Sequence, residues 1–104
     1  MDPFSLDATG DDVRLSLTSV LDIRVSDDMK NAFLEAVTLG KKVVIDASAV
    51  ERISTPCIQV LLSAVKTMDE KGLEFSLFSP TEVFVDAFND LGLFPVLMKW
   101  KVEN

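Results

Sequence analysis

Apolar residues in this chain change period several times, and each change marks an element. Val13, Leu15 and Leu17 alternate with Asp12, Arg14 and Ser16, the period-two pattern of a half-buried strand. Thr18-Ser19 turns the chain into the apolar pair Val20-Leu21, so two antiparallel strands are expected. Ser26 before Asp27 and Asp28 predicts a helix N-cap with acids in the first turn, where the helix dipole favours them. Met29, Ala32, Phe33, Ala36 and Val37 then recur at helical spacing, and Gly40 ends that helix. Val43-Val44-Ile45 is short and wholly apolar, which predicts a central strand covered on both faces.

Residues 46–54 read as an irregular crossing. Thr55 is the expected N-cap of a second helix, with Pro56 at its first position, where a missing N–H costs nothing. Ile58, Leu61, Leu62, Val65 and Met68 give that helix its buried stripe, and Gly72 stops it. Leu73, Phe75 and Leu77 alternate with Glu74 and Ser76 as a further strand. Ser79-Pro80-Thr81-Glu82 has the form of a capping box, opening a third helix whose Phe84, Ala87, Phe88 and Leu91 face inward. The stretch from Phe94 to Val102 predicts a helical turn and a last strand. Strands alternating with helices imply an α/β sandwich with a mixed sheet of four to five strands, parallel in its centre, edged by an antiparallel pair and packed against helices. One domain is expected over residues 13–104. Residues 1–12, which mix Pro3, Gly10 and several aspartates, are expected to be a loose leader in which Phe4 and Leu6 can add a short edge strand. Met1-Asp2-Pro3 fits a natural start and a cloning remnant equally well.

Composition narrows the chemistry. The chain has 104 residues, 48% of them hydrophobic, enough for one packed core. Its net charge of −7 speaks against a nucleic-acid partner or an anionic membrane surface, both of which need a basic footprint. No histidine occurs, which removes the commonest general base and metal ligand, and the single Cys57 permits neither a disulfide nor a CxxC pair. Apolar runs are short and broken by charge, and the N-terminal region is acidic rather than basic. A cytoplasmic, non-catalytic protein without a cofactor and without direct membrane insertion is expected.

The run Val43-Val44-Ile45-Asp46-Ala47-Ser48-Ala49-Val50-Glu51-Arg52-Ile53-Ser54-Thr55-Pro56-Cys57-Ile58-Gln59-Val60-Leu61-Leu62 resembles the core of the STAS family, the sulfate-transporter and anti-sigma-factor-antagonist domains. That core reads as an apolar strand, Asp-x-Ser-x-Val-x-x-Ile, then Asp-Ser-x-Gly and an apolar helix. Leu21-Asp22-Ile23 and Leu91-Gly92-Leu93 agree with it. The resemblance implies a regulatory module that binds a partner kinase or anti-sigma-like ATPase domain and is switched by phosphorylation at the start of the second helix. Thr55 stands at the family's phosphoacceptor position, with Ser54 as a second candidate. The chain departs from the motif with Ser54 for aspartate and Cys57 for glycine, while Pro56 fills the variable position. Ser54 to Leu62 is most similar to single-domain STAS proteins of bacterial chemotaxis systems, which implies a histidine kinase as partner. STAS domains also serve as accessory subunits of lipid or anion transporters, which is the alternative role.

Asp46, Ser48, Glu51, Arg52, Ser54, Thr55, Pro56 and Gln59 are the expected partner-binding residues, since they gather in the polar crossing and the helix start. Several residues of this segment have a plainer role beside this one. Thr55 can serve as a helix cap, Ser54 as a turn residue and Cys57 as a small packed side chain, while Asp46 can fix its loop by accepting backbone N–H bonds. Asp46 as the phosphoacceptor of a receiver domain fails, because no acidic pair follows the first strand. Phe94 and Trp100 are expected at the surface.

Overall fold

The computed structural model describes residues 4–8 and 10–103. The elements in chain order are β1 (Ser5–Asp7), β2 (Val13–Ser16), β3 (Val20–Leu21), a 3-10 turn (Ile23–Val25), α1 (Ser26–Thr38), β4 (Val43–Asp46), β5 (Arg52–Ile53), α2 (Thr55–Glu70), β6 (Phe75–Phe78), α3 (Glu82–Asp90), α4 (Phe94–Met98) and β7 (Val102–Glu103). They build a five-stranded sheet in the order β1-β2-β4-β6-β7 and a separate two-stranded ribbon of β3 and β5. Only the β1–β2 pair of the large sheet is antiparallel. The α/β class, the mixed sheet and its antiparallel edge are as expected from the residue pattern.

The edge itself is built differently. Val20-Leu21 does not fold back on β2; β3 pairs in parallel with β5, Val20 opposite Arg52 and Leu21 opposite Ile53. The antiparallel partner of β2 is the short edge strand that Phe4 and Leu6 offered within the leader, where Leu6 lies opposite Leu15. Phe4 just before this strand is buried in the core, and that apolar contact gives residues 4–7 a reason to order. Residues 1–3 lie outside the described residues.

Register explains which side chains face the helices. Val13, Leu15, Val43, Ile45 and Leu77 form one layer, and they share a core with Met29 and Phe33 of α1, Ile58 and Leu61 of α2, and Phe84 and Phe88 of α3. The alternate positions Arg14, Val44 and Ser76 share the other face. Val44 is buried there too but lies outside the main cluster, so β4 meets the helical core through one face and a largely polar row through the other. On that second face Arg14 lies over the Phe78 ring, 4.6 Å from its centroid, and reaches Asp46 at 3.4 Å. Glu103 of β7 accepts from the Ser76 hydroxyl at 3.2 Å and from Lys42 at 3.4 Å, fastening the last strand.

Helix starts depart from the expected positions by a residue or two. Asp22, not Ser26, performs the capping before α1, since its carboxylate accepts from the Arg24 backbone N–H and opens the 3-10 turn that leads into the helix. Thr81, not Ser79, caps α3 by accepting from the Phe84 N–H at 3.2 Å. Ser79 instead takes a positive φ of 48° at the strand exit, a conformation no N-cap adopts. Leu91 is exposed at the end of α3 rather than inward, and Trp100 is half-buried against Phe75 and Phe88 rather than at the surface. Phe94 is exposed as expected.

Candidate functional site

The crossing between β4 and α2 is held firmly although little of it is regular. Asp46 Oδ1 accepts from the Ser48 N–H at 3.0 Å and from the Ser48 hydroxyl at 2.6 Å, a local turn that starts the loop. Ala47 and Val50 sink into the core as anchors. The Thr81 hydroxyl donates to the Val50 carbonyl at 2.7 Å, so the cap of α3 also ties down the loop. Further along, the Glu51 and Arg52 N–H groups both donate to the Ser19 carbonyl, at 2.7 and 3.0 Å. What these anchors leave outside are Ser48, Glu51, Arg52, Thr55 and Gln59, all exposed.

Helix α2 begins at Thr55, so its N-cap is Ser54, one residue earlier than expected, and Pro56 follows in the first turn. Ser54 does not act as a cap through its side chain. Its extended backbone (φ −93°, ψ 161°) continues β5 and its N–H donates to the Leu21 carbonyl at 2.8 Å. The hydroxyl is thereby turned inward, where it finds no hydrogen-bond partner among the described residues. It lies beside the Cys57 thiol, close enough to act on it. Burial pushes that thiol up, which the Ser54 hydroxyl only partly offsets, and Cys57 Sγ donates to the Asp22 carbonyl at 3.3 Å. Cys57 is buried in the core with its thiol pushed toward the neutral form, the setting of a packing residue rather than of a nucleophile.

A buried hydroxyl that caps nothing responds to removal differently from a working cap. Ser54→Ala removes an unsatisfied group rather than a working cap, so unfolding free energy should stay within about 0.5 kcal/mol of wild type or rise by up to about 1 kcal/mol. A loss near 1 kcal/mol in urea denaturation, the usual effect of deleting a functioning Ser cap, would contradict the geometry.

The expected site residues fall into three neighbouring groups. Asp46 and Ser48 bond to each other at the end of β4, with Arg14 on the far side of the carboxylate. Arg52 and Ser54 line a shallow cleft together with Asp22 and Arg24, which the sequence pattern did not single out. Pro56 and Gln59 open onto a groove between α1 and α2, floored by Phe33 and Val37. Glu51 and Thr55 stand exposed between these features. In the cleft, the Arg24 guanidinium grips Asp22 at 2.6 and 3.1 Å and holds its carboxyl below the usual carboxylate range. An Asx residue directly after a strand, placed to accept from the backbone N–H two residues on, is the signal that could have revealed this clamp. Among the described residues there is no cluster of His, Cys, Asp or Glu able to hold a metal ion, and no helix is long and apolar enough to cross a membrane.

This arrangement of a mixed sheet, a ribbon carrying the crossing loop and a helix start facing outward has counterparts. A family model described as "Mlab, STAS domain" matches residues 4–97. The chain belongs to the STAS domain family. No curated protein sequence matches it. Among solved structures, a STAS-domain anti-sigma-factor antagonist from Planctomyces limnophilus superposes with a TM-score of 0.80 at 20% identity, covering 100% of this chain and 91% of that one. An anti-sigma factor antagonist from Mycobacterium paratuberculosis gives 0.80 at 16% identity, covering 96% and 83%. The Bacillus cell fate determinant SpoIIAA in its phosphorylated form gives 0.73 at 15% identity, covering 97% and 90%. At such identities the likeness fixes the STAS fold and leaves function to the site.

Proposed function

We propose that this STAS domain is a non-catalytic regulatory module that docks on a protein partner, a kinase or anti-sigma-like ATPase domain, through residues 50–59. The observation that carries this is the combination of exposed polar groups, Glu51, Arg52, Thr55 and Gln59, on a loop and helix start pinned from beneath by Val50, Thr81 and Ser19. Polar side chains on a fixed backbone bind with little ordering cost, and rigid presentation of a loop is how scaffolds display recognition residues. Asp46 and Ser48 hold the loop's first turn. The histidine kinase of a chemotaxis system is a partner of this class.

Thr55 is the proposed switch. It is exposed at the first position of a sixteen-residue helix, where free backbone N–H groups and the helix dipole accommodate an anion. A phosphate there adds nearly two negative charges to a surface shaped for a hydroxyl. SpoIIAA, a structural relative, has been solved in a phosphorylated form.

The test is a pull-down from the native cells with wild type, Arg52→Glu and Gln59→Ala as baits, the captured partner being identified by mass spectrometry. A kinase or anti-sigma-like ATPase domain retained by wild type and lost or weakened with Arg52→Glu supports the proposal. Capture unaffected by both substitutions places the docking surface elsewhere. Recovery of a transporter ATPase instead assigns the chain to the accessory-subunit role.

A further inference from the structure

Ile23 is 68% exposed, more than any other large apolar side chain among the described residues. It sits in the 3-10 turn that follows β3. β3 and β5 pair in parallel with Leu21 opposite Ile53, and the 3-10 turn that starts at Ile23 and the helix that starts at Thr55 each begin two residues beyond that pair. Two bonds fix this alignment from the α2 side: the Ser54 N–H to the Leu21 carbonyl, and Cys57 Sγ to the Asp22 carbonyl. The turn that carries Ile23 is thereby tied to the start of α2, and the residues on either side of Ile23, Asp22 and Arg24, line the cleft that Arg52 lines, with Ile23 itself projecting outside it.

The turn that presents Ile23 is fastened on both flanks. Before it, Asp22 accepts from the Arg24 N–H at 2.9 Å and grips the Arg24 side chain. After it, the Ser26 hydroxyl donates to the Ile23 carbonyl at 2.8 Å. An isoleucine is also stiff at χ1, so neither backbone nor side chain loses much freedom on being covered. Met98, exposed to a similar extent, is unbranched and has no such support. Arg52, exposed in that cleft, forms no close ion pair among the described residues; its charge acts on Asp22, whose carboxylate is already gripped by Arg24. An apolar anchor beside a cleft with an exposed guanidinium is the composition of an interface hot spot.

We propose that Ile23 is the apolar anchor of the docking surface, and that the partner offers it an apolar pocket bordered by a carboxylate that meets Arg52. This rests on docking through residues 50–59 and adds both a residue from a different segment and the chemistry of the complementary surface. It also supplies a reason for the switch: a phosphate on Thr55 would stand against the edge of that apolar pocket and beside its carboxylate.

The partner domain retained by the wild-type bait, purified, is titrated by calorimetry against wild type, Ile23→Ser, Ile23→Leu and Met98→Ser. Met98 is an equally exposed apolar residue on α4, outside both residues 50–59 and the Ile23 turn. Ile23→Ser should weaken binding by about tenfold or more with an unchanged thermal midpoint, Ile23→Leu should retain most of the affinity, and Met98→Ser should match wild type. If Ile23→Ser binds like wild type while Arg52→Glu does not, the anchor is wrong and docking through 50–59 stands. Should both bind like wild type, or should Ile23→Ser act only by dissolving a homodimer seen in sedimentation, the proposal falls.

Discussion

Replacing Phe88 with alanine should lower the unfolding free energy by about 3–5 kcal/mol, read from urea denaturation followed by the fluorescence of the single tryptophan. Phe88 has no exposed surface. Its ring stacks on Phe84 with centroids 5.0 Å apart and meets the edge of Trp100 at 5.5 Å, while Trp100 in turn contacts Phe75 of β6 at 5.6 Å. The side chain thus joins α3 to the segment leading into β7. Truncation removes the aromatic contacts and leaves a cavity that rigid neighbours on the sheet cannot fill. For a domain whose whole stability is on the order of 5–15 kcal/mol, that is a large fraction. A loss below about 1 kcal/mol would mean that this aromatic cluster is not packed as described.

The second large effect is on binding and leaves the fold intact. Thr55→Glu puts a negative charge at the first position of α2, where the helix dipole is favourable, so stability should change by less than about 1 kcal/mol. The partner surface, however, would meet a larger, charged group in place of an exposed hydroxyl, close to Ile23 and Arg52. Burying an unpaired charge costs several kcal/mol, so affinity for the partner domain should fall at least about tenfold. Thr55→Ser, which keeps the hydroxyl, should bind nearly as wild type. Equal affinity of Thr55→Glu and wild type in a calorimetric titration would remove the switch and leave a constitutive adaptor.

Periodic features of the fold were legible in the sequence because burial imposes them locally. Met29, Ala32, Phe33, Ala36 and Val37 are all buried in α1, as are Ile58, Leu61 and Met68 in α2, and Gly40 and Gly72 take the positive φ that helix ends require. The edge of the sheet was half legible: the short strand offered by Phe4 and Leu6 forms there, but the pairing of Val20-Leu21 could not be read. Whether Val20-Leu21 folds back on β2 or crosses to β5 depends on a partner more than thirty residues away, and nothing in a two-residue strand encodes that choice. Caps were misplaced for a related reason. Ser54 has the residue type of a working cap and lies at the N-cap, yet pairing of its backbone with Leu21 turns the hydroxyl away from the helix.

The candidate site was partly legible. Exposure of Arg52, Thr55 and Gln59 follows from polar residues interrupting apolar runs, and Asp46 makes the loop-fixing bond that its place at a strand end suggested. Asp22 and Ile23 were visible only as part of the family-like segment before the first helix, and Arg24 was not singled out. Their relation to Thr55 arises from the β3–β5 ribbon, a pairing that local pattern did not reveal.

Amide hydrogen exchange of the chain, free and in complex with the partner domain it retains, tests the docking surface most directly. Docking through the crossing loop and the start of α2 predicts slowed exchange at residues 50–59 and in the turn around Ile23, with α4 unchanged. Protection confined to α3 and α4, with residues 50–59 exchanging as fast in the complex as in the free chain, would contradict it.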